Sequence, residues 1–233
     1  MKKFMRRMGL LSLIFLVATL LSFLINDLPS LQKKAKQNQN RVIDELFVRI
    51  DESDVTKYKR QVLDPFTEID LQGNNMEVWI EKGEKCQLVS SNKKILDNLT
   101  VKEGKIYLDA GKKMTRLHII HPNPRSLFLN GRIGNGSLEV TQSLKEAKID
   151  IGNGGCTIRG EASFPLSCSV GNGNISLNID RLDAKVMASV DVGSIEIFKE
   201  EHEGVGLHKI TKTFGGSRDF INLTVGNGEI EVE

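Results

Sequence analysis

Residues Ile149–Gly160 read IDIGNGGCTIRG, and the Gly-Asn-Gly phrase at their centre occurs three more times in the chain. The other copies are IGNGSLEV, VGNGNISL and VGNGEIEV. Glycine lacks a Cβ and readily adopts positive φ, and asparagine tolerates it, so the phrase can turn a strand through a sharp corner while the flanking residues stay paired. The repetition therefore predicts several similar units, each with one corner.

Five units align on their second glycine, and the first four of these glycines are 18, 19 and 20 residues apart. The last spacing is 35, close to two units. A fixed period near 19 residues is typical of stacked repeats, none of which can bury its apolar face alone. The predicted corner residues are Gly134, Asn135, Gly136, Gly152, Asn153, Gly154, Gly171, Asn172, Gly173, Gly193, Gly226, Asn227 and Gly228.

Around each corner, apolar residues alternate with polar ones, which predicts strands with one buried and one solvated face. The predicted core residues are Ile133, Leu138, Val140, Ile151, Cys156, Ile158, Val170, Ile175, Leu177, Val190, Ile195, Ile197, Val225, Ile230 and Val232. The outward slot three residues after the second glycine holds Glu139, Thr157, Ser176, Glu196 and Glu231.

We predict an all-β domain over residues 62–233, a β-solenoid of about seven stacked rungs of 18 to 20 residues. Two weaker rungs are assigned upstream, IDLQGNNMEV around Asn74 and LTVKEGKIYL around Gly104, and one degenerate rung to HKITKTFGGS. Parallel stacking would place the asparagines of the four corners in one column that Val192 interrupts. The last unit, ending at Glu233, is expected to form an unpaired edge whose acidic residues oppose strand addition.

A second geometry fits the same pattern. Asn-Gly between alternating strands is also a strong hairpin signal, and LTVKEGKIYL looks like a hairpin, so an antiparallel sandwich remains an alternative.

Residues 1–27 are predicted to form a cytoplasmic stub and a transmembrane signal-anchor. Residues 8–25 carry no charge and follow four basic residues, and no convincing cleavage site appears, although a cleaved signal peptide is the alternative. The basic flank places the amino terminus in the cytoplasm and the remaining chain outside the cell membrane. Residues 28–61 are predicted to be a juxtamembrane spacer with one short amphipathic helix near Val42–Ile50.

Charge argues against nucleic acid as a partner. The sequence has 32 Lys and Arg residues and 30 Asp and Glu residues. Four of the basic residues and one of the acidic residues lie within the first 27, so the rest of the chain has 28 basic and 29 acidic residues. A nearly neutral exported part lacks the basic face that nucleic acids require.

Cys156 and Cys168 occupy inward slots, so they are interpreted as packing groups, and so is Cys86. One disulfide between two of the three remains an alternative.

No catalytic, cofactor-binding or metal-binding residues are predicted. The glycines precede strands and not helices, so they are unsuited to phosphate binding. His118 and His121, three residues apart on a strand, point to opposite faces, and Glu139 and Glu196 are too far apart for glycoside cleavage. Trp79 and Tyr107 fall in outward slots and are possible binding residues, or they cover the junction with the amphipathic helix.

The stretch FTEIDLQGNNMEVWIEKGEKCQLVSSNKKILDNLTVKEGKIYLDA, followed by the glycine corners, resembles the bacterial adhesin-like domains of β-strand repeats, the DUF4097/DUF2807 (GIN-domain) group. The resemblance covers about residues 62–233. It implies an extracytoplasmic β-solenoid without catalytic motifs that acts in envelope adhesion, with envelope-stress sensing as the alternative and polysaccharide cleavage as a third. Expected partners are the membrane, an envelope polymer or another envelope protein, and the sequence leaves the oligomeric state open.

Overall fold

The computed structural model describes residues 58–97, 99, 101–216 and 218–233, with backbone alone at 203–205. These residues belong to one compact unit, Lys57–Glu233, and the prediction of an all-β domain is confirmed. The predicted membrane anchor and amphipathic helix lie outside the described residues. Within the described part of the chain, no helix is long and apolar enough to cross a membrane.

Twelve strands form one sheet, accompanied by the helix α1 (Lys93–Asp97) and a 3₁₀ turn at Pro124–Ser126. In the first part of the sheet β2 is long, and the other five strands are short. The strands are β1 (Lys59–Val62), β2 (Glu68–Lys82), β3 (Gln87–Ser90), β4 (Val101–Lys102), β5 (Lys105–Asp109), β6 (Thr115–His121), β7 (Phe128–Val140), β8 (Glu146–Gly160), β9 (Leu166–Ile179), β10 (Lys185–Ile197), β11 (Glu200–Thr213) and β12 (Phe220–Val232).

The centre of the sheet is a row of long parallel strands in the spatial order β2, β7, β8, β9, β12 and β10. Each strand pairs with the next so that equivalent residues are partners, as in Ile133 with Ile151 and Cys156 with Ile175. This parallel pairing differs from that of an antiparallel sandwich, in which neighbouring strands run in opposite directions.

Each long strand has two arms, one before and one after the corner, and both arms contribute to the same core. The pairing skips the first glycine of each phrase, so that Ile133 pairs with Ile151 and Asn135 with Asn153, while Gly134 and Gly152 have no partner in the ladder. On either side of this break every second residue is buried. All fifteen predicted core residues lie in this single apolar cluster, each no more than 3% exposed.

The LTVKEGKIYL stretch is a hairpin, so its assignment as a rung around Gly104 was wrong. β4 and β5 pair antiparallel, and the turn between them places Glu103 at φ 52° and Gly104 at φ 74°. β5 then runs parallel to the first arm of β2, and β6 runs parallel to its second arm. β5 and β6 together therefore form one rung on the outer side of β2. We call it a broken rung because its two arms are separate strands.

The C-terminal strand β12 lies inside the sheet, between β9 and β10, so the prediction of an unpaired terminal strand was wrong. The assignment of HKITKTFGGS as a parallel rung was also wrong, since Ile210 and its neighbours belong to β11, which pairs antiparallel with β10 and forms the edge. At the opposite edge, β3 pairs antiparallel with β6, and β1 with β3.

The corner of β2 is displaced by two residues from the sequence alignment. Met76, not Asn74, is the partner of Gly136, and Asn75 is the partner of Asn135. Because the side-chain period of a strand is two, this slip leaves the same residues facing the core, and Leu71, Met76 and Val78 are all buried.

Candidate functional site

The corner column consists of the Gly-Asn-Gly phrases stacked along the sheet. The second glycine of each phrase has φ between 135° and 142°, a region that L side chains rarely adopt. A Cβ built at Gly154 would lie 1.7 Å from the carbonyl oxygen of Gly136, and one at Gly173 would lie 1.7 Å from that of Gly154. The strands thus approach each other at the corner more closely than any side chain permits.

The middle residues of the corner form a ladder of side-chain amides. Asn153 Nδ2 donates to Asn135 Oδ1, Asn172 Nδ2 to Asn153 Oδ1 and Asn227 Nδ2 to Asn172 Oδ1, all at 2.8 Å. Asn135 Nδ2 donates to Asn75 Oδ1 at 3.2 Å, and Asn75 Nδ2 to the Lys112 carbonyl at 3.0 Å. Asn135 Nδ2 also donates to the Asn74 carbonyl at 3.3 Å, whereas Asn153, Asn172 and Asn227 each use one N–H in the ladder.

Val192 lies at the end of this ladder, and the expectation that it interrupts the column was wrong. β12 separates β9 from β10, so Val192 pairs with Asn227 at the last position. Its side chain is 43% exposed and offers no donor to Asn227 Oδ1.

Val192→Asn is expected to extend the ladder by one hydrogen bond and to stabilise the fold by roughly 0.5–1 kcal/mol. The urea midpoint of unfolding measures the gain. Val192→Asp is the matched control, since its side chain has the same shape as asparagine but cannot donate to Asn227 Oδ1. Equal urea midpoints for the two variants would contradict the prediction that hydrogen bonds of the ladder stabilise the fold.

The outward column after the corner runs in the order Glu139, Thr157, Ser176, Glu231 and Glu196. Glu139 and Glu196 are four strand spacings apart, roughly 19 Å at about 4.8 Å per strand. Glu139 forms an ion pair with Arg159. These two carboxylates therefore cannot act on one glycosidic bond, which needs a separation of about 5–10 Å.

Sequence reasoning missed an acidic patch made by Glu196, Glu201, Glu229, Glu231 and Glu233. Glu196 is the partner of Glu231 on one side and of Glu201 on the other, because β12 is inserted next to β10. Desolvation raises the pKa of Glu231, and the neighbouring carboxylates of Glu233, Glu229 and Glu196 raise it further. The outward face at this end of the sheet is therefore suited to cationic contacts.

Trp79 and Tyr107, the two predicted binding residues, lie on different arms. Tyr107 is the partner of Asp70 before the corner, and Trp79 lies after it in β2. Trp79 is half-buried and stacked on His118, with ring centroids 4.6 Å apart. Tyr107 is 59% exposed, and Lys105 Nζ lies 4.7 Å from its ring centroid. Tyr107 is therefore the more accessible of the two aromatic rings.

A groove runs beside the corner on the outer surface of the first arm. It consists of two adjoining depressions that share Gln72, Asp109 and Gly111. We call it the corner groove. It is lined by Gly134, Gly152 and Gly171 along its length, by Arg132, Asp150 and Ser169 on the first arm, and by Tyr107, Lys94 and Lys112 at one end. Such a polar groove with one exposed aromatic ring is suited to an elongated polar ligand.

His121 is a structural residue. Its Nε2 lies 2.9 Å from the Phe66 carbonyl, and its Nδ1 accepts a hydrogen bond from the Asn123 amide at 3.1 Å. The ring is therefore neutral with the proton on Nε2. Burial lowers the pKa of His121.

His118 lies on the opposite face of β6, and its Nδ1 is 3.8 Å from Glu81 Oε1. The described residues contain no group of three potential ligands that could hold a metal ion.

Stability is expected to fall as the pH is lowered from 7.5 to 5.0. Because the folded-state pKa of His121 lies below its unfolded value near 6.5, the unfolded chain takes up this proton first. The stabilisation is complete above about pH 6.5 and is lost as the pH falls towards the folded-state pKa. Thermal unfolding of His121→Gln should show a smaller decrease between these pH values than the native protein. An unchanged decrease would contradict the assignment.

All three cysteines are buried and free. The pKa of Cys168 lies well above its usual value because its thiol shares a hydrogen bond with Cys156 and is buried, and burial also raises the pKa of Cys86. Buried thiols that stay protonated react slowly, which agrees with their role in packing.

No protein-family model matches the chain, and no curated protein matches its sequence. Among solved structures, a "putative cell adhesion protein" from Clostridium sporogenes is 17% identical, with a TM-score of 0.52 over 75% of this chain and 97% of its own. A "putative adhesin" from Parabacteroides merdae is 11% identical, with a TM-score of 0.40 over 74% of this chain and 79% of its own. The first of these likenesses shows that about three quarters of this chain shares its fold with the Clostridium sporogenes protein.

Proposed function

We propose that the chain is a membrane-anchored, extracytoplasmic β-solenoid of the DUF4097/DUF2807 type that acts as a non-enzymatic adhesion module of the cell envelope. The predicted span at residues 8–25 would hold it in the membrane. The stacked parallel strands would present an extended surface outside the cell.

The corner groove is the observation that carries this proposal. The corner glycines Gly134, Gly152 and Gly171 line it strand by strand, and Arg132, Asp150 and Ser169 lie on the same three strands. Neighbouring strands are about 4.8 Å apart, close to the length of a sugar unit, so a linear glycan lying along the sheet would meet one polar side chain at each step. Tyr107 at one end provides a ring on which a sugar could stack.

Likeness to the Clostridium sporogenes protein supports the proposal by analogy of fold alone, since function depends on the site. The lack of two cooperating carboxylates at Glu139 and Glu196 favours binding over cleavage.

Binding to envelope polymers tests the proposal. The full-length chain with a C-terminal tag is applied to a glycan array and to isolated cell-wall polymer, next to Tyr107→Ala. We expect retention by a linear glycan and a loss of about fivefold to thirtyfold in affinity for Tyr107→Ala, which corresponds to about 1–2 kcal/mol for a stacked ring.

Phe220→Ala is the matched control for that experiment. Phe220 is also an exposed ring at the start of a strand, 51% exposed with Lys185 Nζ 6.0 Å from its centroid, but it lies outside the corner groove. Equal losses for both variants, or no retention by any polymer, would contradict the groove as the binding site. Turnover of the glycan would favour an enzyme instead.

The location is tested separately. Cell fractionation with the C-terminal tag should give a full-length band in the membrane, and protease added to intact protoplasts should remove the tag. A shorter band in the medium would contradict the anchor.

A further inference from the structure

β11 forms a long edge of the sheet in the described part of the chain. It hydrogen-bonds to β10 on one side and ends the order of strands in the described sheet. It contains 14 residues, whereas β1 at the opposite edge contains four. A long edge presents a row of backbone N–H and C=O groups that another strand can pair with.

β11 is sharply bent, and the bend limits which strand can pair with it. Lys212 and Glu200, near its two ends, form an ion pair with each other. A straight strand would hold these residues roughly 40 Å apart at about 3.3 Å per residue. The bend lies where the pairing with β10 shifts register, between Val205 and His208, and Gly206 there has φ 110°. A partner strand must therefore bend at the same place.

The β11 strand of a second copy of the chain meets this requirement. It would run antiparallel to the first β11, with the two bends side by side. Gly206 then lies close to a two-fold axis. Glu200 and Lys212 are each six residues from Gly206, in opposite directions. With Gly206 on the axis, Glu200 of each copy lies opposite Lys212 of the other.

Other side chains on and near β11 are also compatible with this two-fold axis. Leu207 is 65% exposed and lies next to Gly206, so the two copies of Leu207 would bury each other near the centre. Val192, at the corner of the adjoining strand, is 43% exposed. Flanking residues are acidic before the corner, as at Glu201, and basic after it, as at Lys209.

We infer that β11 is the interface of a two-fold homodimer, in which the β11 strands of two copies pair antiparallel across Gly206 and join the two sheets. The same charges discourage other occupants. An uncharged strand would offer no counter-charges to the charged side chains along β11, and charges at a sheet edge generally prevent such additions. The proposal goes beyond the adhesion function and does not depend on it.

Cross-linking through Leu207 tests the axis. The full-length chain carrying Leu207→Cys, in mild detergent, is treated with a short bismaleimide. Cys86, Cys156 and Cys168 are buried, so the unmodified chain is the control for background reaction. We expect a covalent dimer with Leu207→Cys and only traces with the unmodified chain.

A mixing experiment tests the direction of the strands. In the proposed dimer Glu201 of one copy lies opposite Thr211 of the other, whereas two copies of Thr211 lie on different arms. Glu201→Cys and Thr211→Cys should each give few cross-links alone and abundant cross-links when mixed. Cross-links within either single variant that equal those of the mixture would contradict the antiparallel register.

Charge reversal tests the energetics. Lys212→Glu places like charges opposite each other twice in the dimer, and we expect the dimer to weaken about tenfold at low salt. Glu200→Lys combined with Lys212→Glu restores both pairs and should return the affinity to within about threefold of the original. Thermal unfolding of each variant separates this result from misfolding. A monomer at every concentration, or open-ended oligomers without a Leu207 cross-link, would overturn the proposal.

Discussion

Replacing Gly154 with alanine is expected to prevent the domain from folding, or to destabilise it by more than about 4 kcal/mol. The new Cβ would lie 1.7 Å from the carbonyl oxygen of Gly136, on a backbone with φ 137°. The atoms it would meet all belong to the backbone of Gly136 in the paired strand β7, so they cannot move away without breaking the ladder. Urea unfolding monitored by circular dichroism, or recovery of soluble protein, measures the effect.

Gly155→Ala is the control for this substitution, one residue further along the same strand. A Cβ there would meet only the Asn174 carbonyl oxygen, at an ordinary 3.7 Å, and its φ is not in the positive region. We expect a change of less than about 1 kcal/mol. If the two substitutions had similar effects, the close approach of strands at the corner would not be what requires glycine.

Deleting the residues after Arg218 is expected to destabilise the region from β9 to β11 and not merely to trim one edge. β12 pairs along its length with β9 on one side and β10 on the other, so its loss removes one of the two neighbours of Val170, Leu177 and Ile195. Hydrogen exchange should show reduced protection over residues 166–213, while β2 and β7 keep theirs.

A peptide covering residues 219–233 should restore protection when added to the truncated protein. The matched control is the same peptide with Ile230→Asp, since Ile230 is fully buried and a carboxylate there would enter the core uncompensated. Protection of β9 and β10 that does not change when the unmodified peptide is added would contradict the interior position of β12.

The corner units were predictable because their chemistry is local. The alternation around Gly154 and Gly173 reflects a side-chain period of two, and the positive φ of these glycines needs no tertiary information. The first unit was displaced by two residues because Gly73 and Asn75 are both plausible as the middle residue of a corner, and only the pairing of Asn75 with Asn135 distinguishes them.

The order of strands could not be predicted from the repeats. Val190 and Val225 occupy equivalent slots, so the sequence does not indicate which of their strands adjoins β9. The acidic patch follows from that order and was missed with it. The corner groove was missed in part for the same reason, since Tyr107 reaches it only because β5 forms one half of a broken rung.

The interior position of β12 has a consequence for the way the chain folds. β10 and β11 leave the ribosome before β12, at a time when β9 already offers an open parallel edge. β10 carries the same residue classes at the same offsets as β12, so it can dock on β9 in a near-native register. That pairing has to dissociate before the chain reaches its final arrangement. Kinetic competition between interchangeable repeats thus makes synthesis of β12 a condition for correct assembly.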